Sequence, residues 1–328
     1  MRIIFNLMSC SLGQNGGSST IVKSANTLVD LGHNVYIIDS MKNKHKWTPL
    51  KAKHIIVKNG NDIPNADVVI ATGYTTVLST INLPKRCGLK AHWIRGWETW
   101  KISEANINKQ ILQTPTVKIV NSICLQKKLK QFGVESDIIR PGYDFNEIYP
   151  LDKNPNKSIV IGGLSNTKHA SKRTSWVLSA YSDLKVKHKN IELWMMGTNN
   201  KPDSFVTNYV RNPNIKDKNR FYNQCDIWLA PTTNEGLHIC PAEAMITECP
   251  VVGTNAEMSG LHDYLEDGIT GLISKNKYTD FLDSIDKLVS NKDLRVELGH
   301  KARLKILSLG DRITNMKRMF DLFERRLS

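Results

Sequence analysis

The chain has 328 residues, enough for two domains of about 150 residues each. Hydrophobic residues make up 40% of it and charged residues 23%, which excludes a disordered or low-complexity chain. The formal charge is +14; residues 1–150 hold 19 basic against 10 acidic residues, an excess that fits either an anionic partner for that half or a solvated lysine surface.

Residues 2–8 form a short apolar run with β-branched members and predict a buried first strand rather than a signal peptide. A Gly/Ser-rich stretch, Asn15-Gly16-Gly17-Ser18-Ser19, leads into Ile21, Val22, Ala25, Leu28, Val29 and Leu31 at helical spacing. Gly32 closes that helix. Residues 35–38 are the next strand, which completes a β-loop-α-β unit. Further strands are predicted at 55–57, 68–71, 91–94, 117–121 and 138–141, with a helix over 122–131. Strands this apolar belong in a parallel sheet covered on both faces.

Residues 150–157 are polar and proline-containing and predict the linker. A second cycle opens with strand 158–161, which ends in Gly162-Gly163. It continues with a helix over 171–182, strands at 191–196 and 227–230, a helix start at 241–247 and a strand at 251–253. Two helical segments follow in 278–305, and 311–326 forms a final basic helix. The expected division is 1–150 and 151–328, two Rossmann-like α/β domains, with the final helix packing back on the first. Ligands of such sheets bind at the carboxyl ends of the strands.

No apolar run reaches eighteen residues, so no spanning helix is expected. The six cysteines form no CxxC pair and pattern neither as a disulfide framework nor as a zinc site, which points to a reducing compartment. There is no D-x-D triplet for a divalent ion.

Two glycine loops join strands to helices. Gly16-Gly17 fits neither the dinucleotide fingerprint nor the G-x-x-x-x-G-K-[ST] phosphate loop. Gly162-Gly163 is followed by Lys168, which could reach a phosphate. The most specific segment runs from Ala230 to Met245, with Glu235 and Glu243 separated by seven residues. Glu235 is placed in the turn, and Glu243 about one turn into the helix. A carboxylate there can hold sugar hydroxyls, while the amides of Gly236, Leu237, His238 and Ile239 and the helix dipole can hold a phosphate. The paired acids also raise a hydrolase, whose carboxyl groups must face each other.

On Gly16-Gly17, Pro141-Gly142-Tyr143-Asp144, Lys168, Glu235…Glu243, Pro250-Val251-Val252 and Asp267-Gly268-Ile269-Thr270-Gly271, nearly the whole chain resembles retaining glycosyltransferases of the two-domain GT-B fold, the group often called family 4. The resemblance implies two Rossmann-like domains facing across a cleft, with nucleotide sugar on the second and acceptor on the first. It implies that Lys168 binds the donor diphosphate, Glu235 lies beside the donor sugar, Glu243 accepts from the ribose, and Gly16 and Gly17 approach the diphosphate.

Two positions depart from the family's pattern. The arginine usual after the first glycine of the second loop is Gly163 here, which leaves Arg173 or another base to substitute. The family's acceptor-side histidine has no clean match in 91–100, where Arg95 and Glu98 are better candidates than His92. Trp93, Trp97 and Trp100 there read as core or as a sugar-stacking platform.

The expectation is a retaining, metal-independent transferase with no cofactor. It would use a UDP-, GDP- or dTDP-sugar, in the cytoplasm or peripherally at the inner face of a membrane. The acceptor would be an anionic glycan or lipid-linked sugar, as in polysaccharide biosynthesis. The alternatives are a modified nucleic acid as acceptor and an inactive GT-B binding protein.

Overall fold

The computed structural model describes residues 1–13, 15–40, 47–99, 101–152 and 158–328. Trp100 and most of the expected linker, 153–157, lie outside the described residues. The chain forms two compact units, Met1–Gly142 with Asp311–Ser328, and Tyr143–Gly310.

The first unit contains, in order, β1 (Arg2–Asn6), α1 (Gly16–Asp30), β2 (Asn34–Asp39), β3 (Lys53–Ile56), β4 (Val68–Ala71), α2 (Tyr74–Ile81), β5 (Leu89–Ile94), α3 (Glu104–Ile107), β6 (Val117–Val120), α4 (Ile123–Gln131) and β7 (Asp137–Ile138). Among the described residues its sheet has the order β3-β2-β1-β4-β5-β6-β7, and every pairing is parallel. Alternation along the central strands sorts side chains to two faces. Ile3, Phe5, Ile37, Val68 and Ile70 share one core with Trp93 and Ile119. Ile4, Ile38 and Val69 pack with Cys87 on the other.

The second unit contains β8 (Ile159–Ser165), α5 (Thr174–Lys187), β9 (Ile191–Gly197), β10 (Asn208–Arg211), α6 (Ile215–Gln224), β11 (Ile227–Ala230), β12 (Asn234–Glu235), α7 (Ile239–Ile246), β13 (Val251–Thr254), β14 (Met258–Ser259), β15 (Gly271–Ser274), α8 (Tyr278–Ser290) and α9 (Lys292–Ser308). Its main sheet is also parallel, in the order β10-β9-β8-β11-β13-β15. The last helix, α10 (Arg312–Leu327), belongs to the first unit. It buries Met316, Met319, Leu322 and Phe323 in that unit's core. Gly142 is the crossing point: it has φ +75°, and a Cβ there would come within 2.4 Å of the Asp311 carbonyl.

The boundary differs from the expected break at 150. Tyr143 and Ile148 are buried in the second unit's core. The Tyr149 and Leu151 amides donate to the Asn219 and Asn223 side chains at 3.0 and 2.7 Å. Residues 143–152 therefore start the second unit instead of linking to it. Strand β8 runs through Gly162 and Gly163 to Ser165, paired along its length with β9. The glycine pair is thus strand interior, not loop.

Candidate active site

In the second unit's sheet the strand order reverses between β8 and β11, the switch point at which ligands of open α/β sheets bind. The loops that follow these two strands are tied together. The Thr233 amide donates to the Ser171 carbonyl at 2.9 Å. The loop after β8 makes a 3₁₀ turn, Ala170–Lys172, and then a left-handed step at Arg173 (φ 48°, ψ 45°) before α5 begins. That path delivers Lys172 to Glu235, and the two side chains form an ion pair with 18% and 23% exposure. Glu235 itself is set by a short parallel ladder, in which Asn234 and Glu235 face Met258 and Ser259.

The backbone then turns through His238, which is left-handed (φ 58°, ψ 71°) and caps α7. The Tyr264 hydroxyl donates to the His238 carbonyl at 2.5 Å and holds this turn. Leu237 is buried in the core. The imidazole is buried as well, and its Nδ1 has no hydrogen-bond partner among the described residues. Burial, and then the positive charge of Lys172, depress its pKa well below the ordinary value, so the ring is neutral. The start of α7 therefore presents its dipole beside the Lys172–Glu235 pair.

One turn further on, Glu243 accepts from Lys218 Nζ at 2.8 Å on Oε1 and meets the same nitrogen at 2.6 Å on Oε2. The Tyr222 hydroxyl donates to Oε2 at 2.7 Å. Both donors come from α6, four residues apart, and so lie on one helix face. Burial is the largest influence on the Lys218 ammonium and would lower it, but Glu243, Cys240 and Glu147 together raise it. Burial lifts the Tyr222 phenol well above its usual range and raises the Cys240 thiol between the two glutamates. Each glutamate thus has its own cation.

In the first unit, Arg95 directly follows β5 and ties the start of α1 to the residue after β4. Its Nη1 donates to the Gly17 carbonyl at 2.5 Å and its Nη2 to the Thr72 carbonyl at 2.6 Å, with the guanidinium 5.8 Å from the Trp93 ring. Glu98 caps α2, accepting from the Tyr74 amide at 2.9 Å. Burial raises its carboxyl, while the Tyr74 amide and Arg95 pull it back. Gly16 and Gly17 open α1, whose cap is the Asn15 side chain accepting from the Ser18 amide. Trp93 and Trp97 are buried core residues.

Three expected assignments change. Lys168 is exposed and lines a cavity of about 510 Å³ with Lys201 and Arg211, whose lining includes neither glutamate. Lys172, four residues on, is the loop's lysine that meets Glu235. The extra 3₁₀ turn is the reason, and the signal is the loop's second lysine directly before α5. Gly163 is buried, where a Cβ would press on Val177 at 3.0 Å, so it presents no loop amide to a ligand. Arg173 is fixed elsewhere, its guanidinium 4.0 Å from the Trp176 ring and Nη1 2.5 Å from the Asn276 side-chain oxygen. Lys218 and Tyr222 had no sequence signal, because α6 is largely polar. Among the described residues no group of three or more His, Cys, Asp or Glu could hold a metal ion, and no helix is long and apolar enough to cross a membrane.

Residues 156–291 match the family model "Glycosyl transferases group 1". The capsular polysaccharide biosynthesis glycosyltransferase CapM of Staphylococcus aureus is 23% identical over 281 residues, covering 78% of this chain and 73% of its own. Among solved structures, Anabaena Alr3699/HepE in complex with UDP and glucose superposes with a TM-score of 0.79 at 13% identity, over 99% of this chain and all of the other. TarM superposes at 0.80 and 13% identity, with 98% of each chain covered. The fold is GT-B, two parallel-sheet Rossmann-like domains. The protein is a glycosyltransferase enzyme related to the group 1 family.

Proposed function

We propose that the protein transfers a sugar from a nucleoside-diphosphate donor to an acceptor hydroxyl with retention and without a metal ion. The observation that carries this reading is the Lys172–Glu235 ion pair at the switch point, with Glu243 one turn along α7. Charge develops on two groups in such a transfer: positive at the anomeric carbon, negative at the leaving phosphate. Lys172 and the α7 dipole would stabilise the phosphate. Glu235 would hold Lys172 in place and lie against the donor sugar. Glu243 would accept from the nucleotide ribose. The acceptor proton would pass to a donor phosphate oxygen on the same face. Family resemblance, not geometry, supplies this stereochemical course. The UDP bound in HepE supports a nucleotide on this fold.

The acceptor is proposed to be an anionic glycan or lipid-linked sugar, bound by the first unit near Arg95 and Glu98. Its support is charge. The first unit holds 24 basic and 11 acidic residues, a net of +13, and the second 21 and 20, a net of +1. The same charge would serve peripheral attachment to an anionic membrane surface. The setting proposed is the cytoplasm. CapM, named for polysaccharide biosynthesis, fits that class.

Calorimetric titration with UDP and GDP tests the donor half. Lys172→Ala and Glu243→Ala are expected to weaken nucleotide binding by about tenfold or more, the scale of a lost charged hydrogen bond. Unchanged affinity in both would remove the donor assignment.

A further inference from the structure

We propose that Tyr264 is a positioning residue of the donor site: its hydroxyl locks His238 in the left-handed conformation that aims the start of α7 at the leaving phosphate. The proposal rests on the donor-site reading above and extends it to a residue outside the site.

His238 has φ 58° and ψ 71°, a conformation that a residue with a side chain holds only where its surroundings enforce it. It is also the residue before the first turn of α7, so its φ and ψ set the direction in which the first amides of the helix point. No side chain caps that end among the described residues, and Pro241 in the first turn has no amide to offer. The aim of the amides left for a phosphate therefore depends on one strained residue.

The enforcement comes from residues 259–271. Gly260 lies against the turn: a Cβ there would collide with the Gly236 carbonyl oxygen and come within 2.5 Å of the Leu237 Cα. Four residues on, the Tyr264 hydroxyl donates to the His238 carbonyl at 2.5 Å. Tyr264 is fully buried, with its ring in the second unit's core. Its backbone is pinned as well. The Thr270 hydroxyl donates to the Tyr264 carbonyl at 2.9 Å and accepts from the Glu266 amide at 2.7 Å. The 266–271 turn thus braces Tyr264 from behind, and the phenol passes that constraint to His238. The His238 ring adds a longer contact, Nε2 to Thr232 Oγ1 at 3.4 Å.

The test is kinetic. A panel of UDP-, GDP- and dTDP-sugars identifies the donor that wild type uses, and kcat and KM are measured for it on the full chain. Tyr264→Phe keeps the ring and removes the hydroxyl. It is expected to lower kcat/KM about tenfold, mostly in kcat, because a small misaim of the amides weakens stabilisation of the transition state. Thr270→Val, which loosens Tyr264 from behind, should lose part of that and serves where Tyr264→Phe does not fold. Glycine enters the left-handed region without a steric penalty, so in a His238→Gly background the loss from Tyr264→Phe should shrink to about twofold or less. Leu288→Ala truncates the core elsewhere in the same unit and should lower the melting temperature while leaving kcat/KM unchanged. Wild-type kcat/KM in the folded Tyr264→Phe and Thr270→Val variants overturns the proposal. So does an undiminished loss in the His238→Gly background, or a loss in Leu288→Ala equal to that of Tyr264→Phe, which traces the effect to stability alone. A wild type that uses no sugar nucleotide of the panel removes the donor-site reading itself, and this proposal with it.

Discussion

At the residue scale, two histidines carry a consequence for acid stability. His92 is buried, with its pKa pushed down to about 3 by burial first and then by Lys118 and Arg95. His238 is depressed well below its ordinary value by burial and Lys172. Unfolded, both titrate near the ordinary 6.5. Below that pH the unfolded chain binds protons that the folded chain refuses. Stability is therefore full above about pH 6.5 and falls as pH drops toward 3, by up to about 1.4 kcal/mol per unit for each histidine. Urea melts between pH 7 and 4 should show this slope, and His92→Gln should make it shallower. An identical slope in the variant would remove His92 from the account. Arg95 teaches a different lesson. Its type and its place after a strand were legible as a functional cation; its Nη1 and Nη2 donate to the Gly17 carbonyl at the start of α1 and to the Thr72 carbonyl just after β4, and its buried Nε has no partner among the described residues.

At the element scale, the βα alternation was readable because buried parallel strands such as 68–71 are continuous apolar runs. The Glu-x₇-Glu segment was readable because it opens a helix directly after a strand. Elements without an apolar stripe were not. Helix α6 buries Phe221 and Tyr222 but is otherwise polar, and it carries the Lys218 and Tyr222 that hold Glu243. The lysine that meets Glu235 lies four residues beyond Lys168, because spacing from a glycine pair says nothing about an intervening 3₁₀ turn. The glycines themselves serve packing. A Cβ on Gly162 would come 2.5 Å from Cys225 Sγ and 2.9 Å from the Trp228 ring. Gly162→Ala should cost about 1–3 kcal/mol by overpacking. A melting temperature equal to wild type would show that α6 and β11 can yield.

At the scale of the whole molecule, the charge of +14 is not spread over the chain. Once α10 is counted with the first unit, that unit carries +13. A split at residue 150 concealed this, because it assigned the basic final helix to the other half. If the charge serves an anionic acceptor, the KM for acceptor should rise steeply between about 50 and 200 mM salt while nucleotide affinity changes little. Equal salt sensitivity of both substrates would separate the charge from the acceptor. Polyphosphate-bearing glycan, anionic vesicles and single-stranded DNA, compared at fixed salt, distinguish the classes of polyanion.

Lys172 and Glu235 are proposed to drive sugar transfer from a nucleoside-diphosphate sugar. The most direct test is release of the nucleoside diphosphate from a panel of UDP-, GDP- and dTDP-sugars in the presence of anionic glycan acceptors. Wild type should turn over one donor of the panel, and Lys172→Ala and Glu235→Gln should each lower kcat by about 10²–10³ while circular dichroism stays native. Folded variants with wild-type turnover, or a wild type that releases no diphosphate from any donor, would contradict it.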